Sequence, residues 1–198
     1  MKFYESGDNR KPVIFLFPGT CCLYSSFDHV LDGLHSYFYT VTVSYDGFDP
    51  NEKTEFYSME DECEKIEQEI RKKYGGRIYL VAKIQSSMVV PFMYKMVHTG
   101  TLPKFMQKKL DKTDDGKKEL YNGFLNMFGI GKGGSPWITK QSIYNQFYSD
   151  LVTKVQHGID VPGTTIHVFY AIKMGEKYEK RYCTYFKNPD IRKHNMQH

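Results

Sequence analysis

The hydrophobic pattern near the start of the chain predicts a strand that is buried on both faces. The apolar run Val13–Phe17 lies between Pro12 and the dipeptide Pro18-Gly19. Such a run is typical of the interior strands of a parallel or mixed α/β sheet. Because open α/β sheets bind ligands beyond the carboxyl ends of their strands, residues 18–20 are a candidate site. An ordinary strand-to-loop turn remains the alternative, since Pro-Gly is common in turns.

The pattern that follows predicts a helix and a second strand. Apolar residues recur at i, i+3, i+4 and i+7 within residues 27–37, which predicts an amphipathic helix. Residues 38–45 are rich in β-branched and aromatic side chains and predict a strand. A helix between two such strands predicts a βαβ unit, whose strands are parallel.

A second helix is predicted to begin after Ser58, because Ser58 and Asp61 have the spacing of a capping box. Apolar positions then recur at helical spacing, and the dipeptide Gly75-Gly76 is predicted to end the helix. Residues 77–82, RIYLVA, predict a third buried strand. The chain up to this point alternates strand and helix in the order β-α-β-α-β.

The alternation ends after the third strand. Residues 99–158 predict short basic and aromatic helices with no strand among them. The lysines of residues 104–112 follow an amphipathic pattern, which indicates a solvated basic face rather than a membrane or nucleic-acid surface.

Regular structure is predicted again near the end of the chain. Residues 164–172 are strongly β-prone and predict a strand, in which His167 is a core or face residue rather than a ligand. A short helix at 176–186 and a weak final strand at 191–196 follow.

Composition limits the class of protein. A chain of 198 residues suits one domain with one sizeable core, and 40% hydrophobic with 16% aromatic residues argues against disorder. The net charge of +4 is too balanced to predict a nucleic-acid partner. The start has no apolar core like that of a signal peptide, and no apolar stretch is long enough to span a membrane. We therefore expect a cytoplasmic protein with no membrane partner.

The four cysteines predict free thiols and disfavour a zinc site, and we expect neither a metal nor another cofactor. They have neither CxxC spacing nor a companion cluster of histidines. Free thiols in a reducing compartment are the simplest interpretation. Cys21 and Cys22 lie just beyond the first predicted strand, where a nucleophile could act. A small buried hydrophobic role is nevertheless the more common one for an intracellular cysteine.

Four segments together resemble the α/β-hydrolase family. FPGT at residues 17–20 resembles the oxyanion-hole turn of that family, and SYDGFD at 44–49 resembles the turn after its next strand. MGEKY at 174–178 and NMQH at 195–198 resemble its acid and histidine segments. Over most of its length the chain is similar to uncharacterised α/β hydrolases of anaerobic Gram-positive bacteria.

The resemblance implies a hydrolase-like fold with a shortened sheet. Its expected form is a single domain, residues 1–198, with a mostly parallel sheet flanked by helices and a helical cap inserted at 99–158. Family members continue after the third strand through a nucleophile elbow, a helix and another strand, whereas cap-like sequence begins here at about residue 81. The elbow segment is thus predicted to be absent. The apolar surface left open would be covered by region 99–158 or by a second copy of the chain in a homodimer.

The resemblance also implies catalytic roles for particular residues. His198 would be the general base, and Glu176, or alternatively Glu179, would orient its ring. The backbone N–H of Thr20 or Cys21, beside Gly19, would stabilise an oxyanion. These roles agree with the chemistry of acyl transfer, in which a carboxylate orients the base and N–H donors point to developing negative charge.

The nucleophile is where the sequence departs from the family. The elbow motif is small-x-Ser-x-small, because only small neighbours permit its strained turn. Matching the small residues of 82–87 to this motif puts Ile84 at the nucleophile position, and isoleucine cannot attack a carbonyl. A register centred on Ser86 or Ser87 supplies a serine but places bulky side chains beside it.

Two functions are therefore expected. One is an acyl hydrolase of small esters or related compounds, whose partner is a small-molecule acyl substrate. The other is a catalytically inactive hydrolase-like protein that binds a small molecule or a protein partner in the same pocket. A third reading, a basic nucleic-acid binder, rests only on the lysines of residues 104–118 and has little support.

Overall fold

A computed structural model describes residues 1–75, 78–82, 108, 111–112, 115 and 137–195. The chain divides into two compact units, Met1–Val152 and Thr153–His198. The prediction of one domain with a cap at 99–158 stays a prediction.

The first unit contains a four-stranded mixed sheet with the strand order β1-β3-β2-β4. Strand β2 pairs in parallel with both β3 and β4, while β1 pairs antiparallel with β3. The residue ranges of the four strands are β1 Lys2–Ser6, β2 Val13–Phe17, β3 Tyr39–Ser44 and β4 Ile78–Ala82. The predicted run of apolar residues at β2 therefore lies in the interior of a mostly parallel sheet.

Both predicted helices of this region are present. Helix α1, Asp28–His35, follows a short 3-10 helix, Tyr24–Phe27, and connects the parallel strands β2 and β3. Helix α2, Met59–Lys73, begins as predicted, because the hydroxyl of Ser58 accepts a hydrogen bond of 3.2 Å from the N–H of Asp61. The predicted βαβ unit and the helix start at Ser58 are confirmed.

Two strands differ from the sequence prediction. Strand β1 is not predicted, because its side chains are mostly half-buried and it pairs only at the edge of the sheet. Strand β4 is predicted to be buried, yet Tyr79, Leu80 and Val81 are exposed, Leu80 by 60%. Within the described residues β4 pairs with β2 alone.

A third helix of the first unit, α3, spans Lys140–Val152. It lies in region 99–158, and the described residues of that region contain no strand, in agreement with the sequence pattern. Ile143 and Phe147 of α3 are buried together with Phe15, Val41 and Val43 of the sheet. Helix α3 is therefore part of the core of this unit.

The second unit contains two parallel strands and a helix. Strand β5, His167–Ala171, is followed by a short 3-10 helix, Ile172–Met174, by helix α4, Glu176–Tyr185, and by strand β6, Asp190–His194. The three elements predicted in this region are confirmed, with shorter bounds. No helix among the described residues of either unit is both long and apolar enough to cross a membrane.

Candidate active site

The candidate site lies at the carboxyl ends of β2 and β3. Strand β2 is flanked by two parallel strands, of which β3 follows it in the chain and β4 lies on the opposite side. The direction of winding thus reverses at β2, and ligands of open α/β sheets bind at such a switch point. The turn after β2, residues 18–22, contains Pro18, Gly19 and Thr20 of the FPGT segment, followed by Cys21 and Cys22.

The backbone of this turn is held in an uncommon conformation at Cys21. Its φ of 56° lies in the left-handed region, which residues other than glycine rarely adopt. The N–H of Cys21 donates a hydrogen bond of 2.7 Å to the side-chain oxygen Oε1 of Gln146, which belongs to α3. A second bond of 2.9 Å runs from the N–H of Cys22 to the carbonyl oxygen of Gly19. The contact with Gln146 therefore supports a turn that is strained by itself.

A second side chain of α3 binds the same turn. The hydroxyl of Thr20 donates a hydrogen bond of 2.8 Å to Oδ2 of Asp150. Burial raises the pKa of Asp150, and the bond from Thr20 opposes that shift. Gln146 and Asp150 are four residues apart, so they lie on the same side of α3. We call this group, Thr20, Cys21, Gln146 and Asp150, the β2-turn cluster.

Cys21 is poorly suited to be a nucleophile in this position. Its side chain is buried, and burial raises the pKa of its thiol well above the usual value. The reactive thiolate form is therefore disfavoured. None of the four cysteines forms a disulfide bond, and Cys22 is only partly buried.

The turn after β3 contains a cluster of charges. Oxygens of Asp46, Asp61 and Glu62 all lie within 4.8 Å of one another, which is close enough to hold a metal ion. The ammonium group of Lys65, however, contacts all three, at 2.5 Å from Asp46 and 3.3 Å from Glu62. The amino group of Met1 also contacts Asp46. The chain supplies its own cations here, so we assign no metal ion to this site. We call the group Asp46, Asp61, Glu62 and Lys65 the β3-turn cluster.

Burial and close packing shape the β3 turn. Burial raises the pKa of Glu62, and its carboxylate accepts a hydrogen bond of 3.1 Å from the N–H of Asp46. Gly47 has a φ of 77°, and a Cβ at this position would lie 2.2 Å from Oγ of Ser142 on α3. The same Ser142 oxygen accepts a bond of 3.1 Å from the N–H of Phe56. Glycine at 47 therefore lets α3 approach the turn.

The structure brings together only part of the predicted catalytic set. Gly19, Thr20 and Cys21 are consecutive in the turn after β2, and their role as an oxyanion site stays a prediction. Ile84, Ser86, Ser87 and His198 lie outside the described residues. Glu176, exposed, begins α4 in the second unit. Glu179 of the same helix forms an ion pair of 2.8 Å with Lys193, so the alternative acid already has a basic partner.

Sequence patterns do not identify the residues of α3 that bind the turns. Ser142, Gln146 and Ser149 are polar yet buried, and Asp150 is partly buried. Periodicity arguments assume that apolar residues face inward, and these side chains break that assumption. The available signal is their spacing, since Ser142, Gln146 and Asp150 recur every four residues within a region that is predicted to contain short helices.

Similarity to known proteins is found in structure only. No protein-family model matches the chain, and no curated protein matches it in sequence. The structure is similar to an α/β hydrolase family protein of Desulfitobacterium hafniense, with 11% identity over 97% of this chain and 90% of the other, at a TM-score of 0.60. A marine microorganism esterase is 14% identical over 98% and 90% of the two chains, at a TM-score of 0.61.

An enol-lactonase of Burkholderia xenovorans is similar in the same way. Its identity is 10% over 100% of this chain and 88% of the other, at a TM-score of 0.58. At sequence identities this low, the structural similarity shows the fold but does not show the activity. Together with the mixed sheet and its flanking helices, these likenesses show that the chain has the α/β-hydrolase fold.

Proposed function

We propose that this protein is a hydrolase of small esters or related acyl compounds, which acts in the crevice beyond the carboxyl ends of β2 and β3. The observation that carries the proposal is the position of the turn after β2. It lies at the switch point of an α/β-hydrolase fold and holds the peptide N–H of Cys21 in a fixed, strained geometry. Fixed N–H donors stabilise the oxyanion of acyl transfer.

The remaining roles in this proposal rest on the sequence. His198 is the general base, Glu176 orients it, and Ser86 or Ser87 is the nucleophile. The cap role predicted for 99–158 stays part of this proposal only outside α3, which belongs to the core of the first unit. No cofactor is required for this chemistry, and neither nucleic acid nor membrane is a partner. A homodimer or region 99–158 covers the open edge of the sheet.

Labelling with a fluorophosphonate probe tests this proposal. We expect a probe adduct on Ser86 or Ser87, located by mass mapping of the modified peptide. His198→Ala should lower the labelling rate about 100-fold or more, because loss of a general base has effects of this size. The matched control is His29→Ala, which changes an exposed histidine of α1 and should label like the wild type.

One result would overturn the hydrolase proposal. A protein that is folded by circular dichroism and thermal melting, yet takes no label at either serine, has no activated serine nucleophile. The inactive alternative, a binding protein that uses the same crevice, would then be favoured.

A specific observation favours that alternative. The N–H of Cys21, which would bind the oxyanion, already donates to Gln146. A binding protein should be stabilised against thermal unfolding by small acyl compounds in a concentration-dependent way, and should take no label at Ser86 or Ser87.

A further inference from the structure

The side chain of Gln146 occupies the donor that an acyl group would need. Its oxygen Oε1 lies 2.7 Å from the nitrogen of Cys21, within the β2-turn cluster. Gln146 is 1% exposed and Cys21 is also buried, so water does not compete for this bond. An amide side chain carries an sp2 oxygen with two lone pairs, like the carbonyl oxygen of an ester or the oxygen of a carboxylate.

The contact joins two elements that lie far apart in the sequence. The bond ties a left-handed residue of the turn to a buried polar residue of α3, across 125 positions of the chain. One helical turn further along α3, the carboxylate of Asp150 accepts a hydrogen bond from the hydroxyl of Thr20, which precedes Cys21 in the turn. The turn thus presents two adjacent donors, a peptide N–H and a hydroxyl, and α3 supplies an oxygen to each.

We propose that Gln146 is an internal occupant of an acyl-carbonyl subsite at Cys21, and that carbonyl or carboxylate ligands bind there only in competition with it. This inference rests on the proposed function for one point, that the turn after β2 receives an acyl oxygen. It adds that the side chain of Gln146 blocks this subsite.

Release of the subsite does not require α3 to leave the core. Ile143 and Phe147 fix the helix by apolar burial, and Asn145 donates a bond of 2.8 Å to the carbonyl oxygen of Phe56. These contacts are separate from the bond between Gln146 and Cys21. The proposal requires only that the side chain of Gln146 turns away from Cys21, while these anchors of the helix remain in place.

Selective labelling makes the subsite directly observable. Incorporation of 15N-cysteine gives one amide signal for each of the four cysteines, and the signal of Cys21 is assigned by Cys22→Ser, Cys63→Ser and Cys183→Ser. Sodium butyrate is then titrated as a carboxylate probe. In Gln146→Met, which removes the acceptor oxygen at similar length, butyrate should shift the Cys21 signal with a Kd at least about fivefold below that of the wild type.

The matched control is Gln141→Met, the same change at an exposed position of α3. It should bind butyrate like the wild type. If Gln146→Met does not fold, Gln146→Asn is used instead, because its shorter amide withdraws the oxygen from Cys21. Equal Kd values in the wild type and the Gln146 variant would overturn the proposal, and so would a Cys21 signal that butyrate does not shift in that variant.

This readout separates the two proposals, because the titration needs no nucleophile. If the protein takes no label but its Gln146 variant binds butyrate more tightly, the subsite proposal stands and only the hydrolase proposal is overturned. If the protein takes the label but the Gln146 substitution leaves butyrate binding unaltered, the hydrolase proposal stands and the proposal that Gln146 occupies the subsite is overturned.

Discussion

The two turns at the carboxyl edge of the sheet are built in different ways. The turn after β2 is held by hydrogen bonds that Cys21 and Thr20 donate to Gln146 and Asp150 of α3. The turn after β3 is held by ion pairs around Lys65 and by the close approach of α3 at Gly47. Both turns contact the same helix and follow neighbouring parallel strands.

The difference bears on which turn can exchange its partners for a ligand. A carbonyl or carboxylate ligand can replace the oxygen atoms that bind the β2 turn, because it offers the same acceptor chemistry. No small neutral ligand can replace the ammonium group of Lys65 or fill the space that Gly47 leaves for Ser142. The β3 turn is therefore the fixed side of the site, and the β2 turn is the exchangeable side.

The largest expected effect is at Gly47. Gly47→Ala puts a Cβ 2.2 Å from Oγ of Ser142 and 2.9 Å from the nitrogen of Phe56, in a left-handed conformation that alanine disfavours. We expect the free energy of unfolding to fall by about 2–4 kcal/mol, measured by urea denaturation.

Gly33→Ala is the matched control for this change. A Cβ at Gly33 would meet nothing within 4 Å, and this residue lies inside α1. We expect it to raise the free energy of unfolding by about 0.5–1 kcal/mol, because alanine is the better helix former. A Gly47 variant as stable as the wild type would contradict the view that the β3 turn is sterically fixed.

An intermediate effect is expected from removal of the cation of the β3-turn cluster. Lys65→Met leaves the carboxylates of Asp46, Asp61 and Glu62 close together without their ammonium partner. The expected loss at pH 7 is about 1–3 kcal/mol, less than for a fully buried pair because Lys65 is partly exposed. Urea denaturation measures it, with Lys72→Met, at an exposed lysine of the same helix, as the control. An equal loss of the free energy of unfolding in the two variants would show that the ion pairs of Lys65 do not stabilise the protein.

The smallest expected effect is at Asp150, on the β2 turn. Burial raises the pKa of this carboxyl above its ordinary value of 3.8, so the folded protein disfavours the charged form. Asp150→Asn keeps an oxygen acceptor for Thr20 and removes the charge. We expect a gain in the free energy of unfolding on the order of 1 kcal/mol at pH 7.

The gain at Asp150 should depend on pH in a defined direction. A raised pKa means that the folded state binds the proton more tightly than the unfolded state. The stability of the wild type therefore rises as the pH falls through the folded-state pKa towards 3.8, and the advantage of the variant disappears there. The control is Asp32→Asn at an exposed position of α1. An advantage that grows on acidification would contradict this assignment.

Much of the sheet can be predicted from the sequence because its signals are local. The apolar run of β2, the amphipathic stripe of α1 and the cap at Ser58 each lie within a dozen residues. Strand β1 carries no such signal, since an edge strand of half-buried residues does not need an apolar run.

The candidate site could be predicted only in part. The motif around Gly19 identifies the turn, because a strand end followed by Pro-Gly is a local signal. Its partners Gln146 and Asp150 belong to a helix whose buried side is partly polar, and they meet the turn across 125 and 130 positions. No pattern within a short window reports a contact of that range.

The long sequence separation of the β2-turn cluster has a consequence for the order in which the protein forms. A nascent chain that ends before residue 140 contains β2 and its turn but not α3. In that chain the N–H of Cys21 and the hydroxyl of Thr20 have neither of their α3 partners, and closing the intervening loop costs chain entropy. The geometry of the turn after β2 is thus completed only once α3 has been synthesised, by a segment far from the motif that marks the turn.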